Sequence, residues 1–352
     1  MDAPTGRPAP PDTGRIHVRL ADVGELAASL PQLLGFHPRE SVVLVALTGA
    51  GGNRVGLTVR ADIPPPQHAA SLAADLADRV RTGRPAGVVL AVVSEATDGD
   101  GLPHRDLVHD VVLAMTACAI PVREAVLVRA GRRWSYDCPD ACCAPGGGIP
   151  LPGGVTELEV AAVATGVVVE PDRTALAARI APGDRLARSS MASACAQVAV
   201  RCAEAVLDRG WDAVAAQSWA AVLGALTRCR PGAAVRLTDS EVARVVWGLR
   251  DRTVRDRALE LALGQDAPAT EQLWTECTRR APAPLDAAPA TLLAVSSWLR
   301  GDGAMAGIAL DRALAAEPGY ALARLLSQAL DACVPPGDLR RLIRSAVAAA
   351  DH

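Results

Sequence analysis

The chain predicts an α/β N-terminal domain followed by an all-α domain, and two observations carry that expectation. In the first half, short apolar runs of strand length alternate with amphipathic stretches, the pattern of a mainly parallel sheet with helices on both faces and one antiparallel hairpin. Beyond Pro152 nearly every segment is Ala/Leu-rich at helical spacing. A length of 352 residues is enough for two cores. The expected boundaries are a disordered tail over 1–14, an α/β domain over 15–152 and a helical domain over 153–350.

The elements follow in order. The opening MDAPTGRPAPPDTG is polar and Pro-rich, lacks the apolar core of a signal peptide and reads as a tail. Ile16–Leu20 reads as a first strand. Asp22, with Glu25 three residues on, caps a helix that Pro31 ends or kinks. Ser41–Leu47 is a continuous apolar run, as a strand buried on both faces requires. The turn TGAGGNR then leads into Val55–Arg60, giving the hairpin. Ala69–Arg81 is an amphipathic helix, Ala86–Val93 a buried strand, Arg105–Ala117 a helix and Val122–Val128 a strand. Residues 132–150 read as a Cys-rich loop. In the second half, helices break at Pro171, Pro182, Pro231, Pro282, Pro318 and Pro335, with one further strand suggested at Gly166–Val169. Residues 289–320 have the form of a tetratricopeptide-like hairpin, with a degenerate earlier copy around Thr270, Trp274, Cys277 and Pro282.

Composition excludes several function classes. Net charge is −3, so there is no general field for nucleic acid or an anionic membrane. All 36 cations are Arg, too uniform a bias to mark a site. With one Phe and two Tyr, stacking platforms for single strands are not expected. No window reaches the length of a membrane span. Nine cysteines without a secretion signal read as mostly reduced, in a cytoplasmic protein.

The segment RRWSYDCPDACCAPGGGIP places Cys138, Cys142 and Cys143 within six residues, behind Trp134 and Tyr136. Four readings stand: a structural loop with free thiols, a metal site, redox chemistry, or a disulfide from Cys138 to Cys142 or Cys143. A zinc site needs four ligands in its closed form, and His104 joins the three sulfurs as the fourth if the loop after Ala86–Val93 and the cysteine loop share the carboxyl edge of the sheet. Such a site contributes on the order of 10 kcal/mol to folding. That same edge is expected to carry Glu95, Asp98 and Asp100. An enzyme built there would use His104, Glu95 and Cys138, its thiol lowered by Arg129, Arg132 or Arg133. As a binding surface it would use Trp134, Tyr136, Asp98 and Arg133. Gly35, Phe36, His37, Pro38 and Ser41 read as a helix stop feeding a strand, with His37 at the opposite edge if that strand is parallel to its neighbours. The glycines of Thr48–Asn53 precede a strand, not a helix, so they form a turn and not a phosphate cradle. His104 and His109 are five apart and do not share a helical face.

Three blocks, LLGFHPRESVVLVAL, RRWSYDCPDACC and WLRGDGAMAGIALDRALAAEPGYALARLL, resemble an actinobacterial family of domain of unknown function, number 4192. The likeness spans nearly the whole chain. It implies an actinobacterial cytoplasmic protein and supplies no catalytic roles. Ala144 stands where members usually continue the Cys-Cys pair with Pro. The function expected is a non-catalytic module that binds a ligand or metal, zinc being the candidate, and meets a protein partner or a second copy through its helical domain. The alternative is a metal- or thiol-dependent hydrolase or transferase at the carboxyl edge of the sheet.

Overall fold

The apolar strand β1 (Ser41–Thr48) pairs antiparallel on both sides, with β2 (Arg54–Asp62) and with β3 (Gly87–Val93). The computed structural model of the protein describes residues 22–97, 101–144, 146–154, 156–164, 168–232 and 236–350. The tail 1–14 and the strand expected at Ile16–Leu20 therefore lie outside the described residues. Beyond β3 come β4 (Val122–Arg129), β5 (Arg132–Ser135) and β6 (Ile149–Pro150), so that among the described residues the sheet has six strands in the order β2-β1-β3-β4-β5-β6.

This is a mixed sheet, which corrects the expectation of a mainly parallel one. Only β3 and β4 pair in parallel among the described strands. The crossover from β2 to β3 steps over β1 and leaves it between two strands of opposite direction. Apolar periodicity reports burial and carries no sign of direction, so the sequence could not reveal this. A second correction concerns residues 132–150. They are not all loop, because Arg132–Ser135 turns back at Ala130–Gly131 and pairs antiparallel with β4, and Ile149–Pro150 pairs in turn with β5.

Four helices belong to this half: α1 (Val23–Ala28), α2 (Leu30–Leu34), α3 (Ala69–Arg81) and α4 (Arg105–Ala117). The Asp22 carboxylate caps α1 by accepting from Glu25 N–H at 2.9 Å, and Pro31 sits in the first turn of α2. The last two helices have the expected bounds. They pack together on one face of the sheet, over Val42, Leu44, Ala46, Leu90 and Leu127.

The other face, with Val43, Val45, Val89, Ala91 and Val126, joins the core of the second half. The described elements of that half are helices: α5 (Glu157–Ala164), α6 (Arg173–Ala178), α7 (Arg185–Arg209), α8 (Trp211–Arg228), α9 (Asp239–Gly248) and α10 (Arg252–Ala258). It continues with α11 (Ala267–Arg280), α12 (Ala287–Arg300), α13 (Gly303–Ala316), α14 (Ala321–Asp331) and α15 (Pro336–Ala350). All six expected proline breaks fall between helices. Of the strand suggested at Gly166–Val169, the first two residues lie outside the described set and the other two form no strand, although the adjacent Glu170 bridges Phe36. Every residue of α12 from Ala287 to Leu299 is buried, so this helix is the hub around which α11, α13, α14 and α15 pack. The helices expected from 289–320 are α12 and α13, an antiparallel pair closed by Gly301 at φ +96°.

Candidate functional site

The cysteine loop hangs from β5 and is built around Trp134. That indole is buried, donates through Nε1 to Ala144 O at 3.1 Å, and lies against Gly148, where an added Cβ would come within 2.5 Å of the ring. Glycine at φ +88° is what lets the backbone pass there. Gly148 N–H donates to Cys142 O at 2.7 Å and Arg132 donates to Gly147 and Gly148 carbonyls, so the loop is closed at both ends.

Inside that closure the three sulfurs of Cys138, Cys142 and Cys143 lie within 4.8 Å of one another. Cys138 Sγ is 3.7 Å from Cys142 Sγ, which is 3.9 Å from Cys143 Sγ. A disulfide needs about 2.05 Å. A tetrahedral zinc with Zn–S bonds of about 2.3 Å sets its sulfurs about 3.8 Å apart. Two of the three separations match the tetrahedron's edge, and the third is no more than 4.8 Å. Asp140 Oδ2 stands 3.8 Å from Cys138 Sγ but does not close with the other two sulfurs, so the three thiols leave the fourth corner open.

A thiolate nucleophile fits this site poorly. The Asp140 backbone lowers the Cys138 thiol, but contact with Cys143, desolvation and contact with Cys142 together push it up to about 11. The cations expected to depress it are engaged elsewhere. Arg129 stacks on Trp134 at 4.9 Å, Arg132 holds the glycines, and Arg133 pairs with Glu124 at 3.5 Å.

The other expected binding residues take structural positions. Tyr136 is buried and donates to Pro103 O at 2.7 Å, and burial raises its phenol against the pull of Arg105 and Arg129. Asp98 and Asp100 lie outside the described residues.

His104 does not join the sulfurs, which corrects the composite zinc site. The cysteine loop leaves β5 at the level of Ala125, where Tyr136 N–H bonds Ala125 O, and the hairpin at Ala130–Gly131 takes the carboxyl edge instead. His104 turns to Ser94, its Nε2 3.0 Å from Ser94 Oγ.

The antiparallel course of β1 also brings the turn before it to that edge, not to the opposite one. There Ser94 Oγ donates to Glu40 Oε2 at 2.7 Å, Glu95 N–H donates to Glu40 Oε1 at 2.8 Å, and Ala96 N–H donates to Ser94 Oγ at 3.1 Å. Glu95 itself accepts from Ala130 N–H. Glu40 and His104 are both non-glycine residues in the left-handed region, at φ +40° and +61°, a conformation costing about 1 kcal/mol or more each.

The helix-stop segment frames this edge. Gly35 at φ +77° ends α2, Phe36 and Pro38 are buried, and His37 N–H donates to Glu170 O. Ser41 is buried, donates to Arg39 O and accepts from Arg60 Nε. A cleft of about 670 Å³ opens here, lined by His37, Arg39, Glu40, Ser94, Val169 and Pro171 among others. Glu40 and Ser94 escaped sequence reasoning. The one available signal was a polar residue at the end of a buried strand, and their meeting depends on the unreadable direction of β1.

No helix among the described residues is long and apolar enough to cross a membrane. Residues 24–337 match the model of the family described as Domain of unknown function (DUF4192). No curated protein and no solved structure matches the chain.

Proposed function

We propose, for a chain that belongs to the DUF4192 family, that the protein is a zinc-binding module whose metal is held by Cys138, Cys142 and Cys143. The observation that carries this reading is the 3.7 and 3.9 Å separation of the sulfurs, close to the edge of a zinc tetrahedron. The fourth position is left to an oxygen donor such as water. Bound zinc would supply cross-linking: it fastens the 138–143 turn to β5 through Cys143, whose Sγ already accepts from Ser135 N–H at 3.3 Å. Cation binding requires loss of the thiol protons, so uptake is accompanied by proton release and weakens in acid. Nine unbridged cysteines accord with a reducing cytoplasm.

The test is metal content of the full chain purified under reducing conditions. About one zinc per chain is expected, falling to near zero in Cys142→Ser, with a lowered melting temperature. A metal-free wild type that cannot be reloaded with zinc would sink the reading.

A second element of the proposal concerns the helical half. On α7, Leu186, Val200 and Leu207 stand at heptad spacing and are 81, 59 and 89% exposed. The partner is a second copy. An antiparallel pairing of two α7 helices sets Leu186 opposite Leu207 and brings Arg185 against Asp208, with Arg188 near Glu204.

A further inference from the structure

We propose that Ser94 is the nucleophile of an acyl-transfer site at the carboxyl end of β3, with Glu40 as its base and small anionic carboxylic esters as its substrates. The inference is independent of the zinc reading, since none of its residues belongs to the cysteine loop.

Ser94 is 2% exposed, yet it lines the floor of the cleft. Its hydroxyl has one proton and two lone pairs. The proton points to Glu40 Oε2 at 2.7 Å, and the lone pairs accept from Ala96 N–H and, in its Nε2–H tautomer, from His104. A hydroxyl whose proton faces a carboxylate and whose oxygen receives two donors is arranged for an alkoxide. Glu40 is aimed by a second bond, from Glu95 N–H to its other oxygen. Both Glu40 and His104 are held in the left-handed region, so the fold places strained backbone on each side of one hydroxyl. Arg39 and the exposed His37 ring stand at the lip of the same cleft, which suits an anionic substituent on the substrate.

The chemistry balances with water as the only co-reactant. Ser94 Oγ forms a bond to the acyl carbon while its proton passes to Glu40. The ester C–O bond breaks and the leaving alkoxide takes that proton. Water then gives a proton to Glu40 and attacks the acyl carbon. Ser94 Oγ leaves and recovers the proton, releasing the free acid.

The test uses the full chain and two readouts. An alkyl fluorophosphonate should form a Ser94 adduct, mapped by peptide mass spectrometry, with loss of fluoride. Hydrolysis of 4-nitrophenyl monosuccinate should exceed that of 4-nitrophenyl acetate about tenfold in kcat/KM, and Arg39→Gln should abolish the difference. Because Ser94→Ala removes a hub of hydrogen bonds, Glu40→Gln is the second variant: its amide oxygen can still accept from Ser94, at the loss of the bond from Glu95 N–H, so melting should fall only modestly while labelling and hydrolysis fall about 100-fold. A folded wild type that leaves Ser94 unlabelled and both esters intact overturns the proposal. Equal rates on the two esters overturn the anionic substrate class, and a Glu40→Gln variant of unchanged rate overturns the role of Glu40.

Discussion

Gly148 is the residue on which the cysteine loop turns. Its left-handed backbone and the 2.5 Å approach of the Trp134 ring leave no room for a side chain. Gly148→Ala should cost about 2 kcal/mol or more and displace the carbonyl of Cys142 to which Gly148 donates. A lower melting temperature together with weaker zinc retention under a chelator would be the expected pair of results, whereas unchanged retention would separate the loop's fold from metal binding. At this scale the sequence was half legible. Three cysteines in six residues announce themselves, because thiols are scarce and their chemistry is cooperative. A binding role puts Trp134 and Tyr136 at the surface, yet both are core, since nothing in their immediate neighbours reveals that Arg132–Ser135 is a strand. Glu40 and Ser94 are ordinary polar residues in sequence, and only their meeting across β1 and β3 distinguishes them.

Whole elements are more legible in the sequence than their directions. α3 and α4 have the bounds that their apolar spacing gave, and each proline break in the second half separates two helices. Strand identity followed from apolar runs, but strand direction depends on which edge a crossover reaches, which is a tertiary matter. The same limit explains why His104 was expected beside the thiols and lies beside Ser94.

Helix α12 offers a test at the level of elements. Asp286, just before its first turn, is 2% exposed and pairs with Arg312 of α13 at 2.9 Å. Burial pushes this carboxyl above its ordinary value against the opposing pull of Arg312. A raised carboxyl costs stability as the pH rises above its unfolded value, because the unfolded chain then ionises freely while the native carboxyl must keep its proton or ionise where it is buried. Arg312→Ala should therefore destabilise by about 3 kcal/mol at neutral pH and by less in acid, where Asp286 is protonated in both states. A deficit independent of pH, measured by denaturant unfolding, would contradict this account.

Across the whole molecule, one apolar core runs from the sheet face of Val43, Val45 and Val89 into α12 and its neighbours. The sheet is therefore covered on one side by α3 and α4 and on the other by α1, α2 and the second half. Composition made this possible to foresee only in part: β1 is apolar along its full run because both faces are covered, yet nothing in the run says by what. The exposed α7 ridge is the largest-scale prediction. Wild type should elute as a dimer and Leu207→Glu as a monomer of unchanged helicity. A monomeric wild type at high micromolar concentration would refute the pairing.

The zinc site is the claim on which the functional reading rests, and X-ray absorption at the zinc edge addresses it directly. The expected first shell for the reduced full chain is three sulfurs at about 2.3 Å and one oxygen at about 2.0 Å. A shell of oxygen and nitrogen alone, or zinc that Cys138→Ser leaves with all three sulfurs, would contradict it.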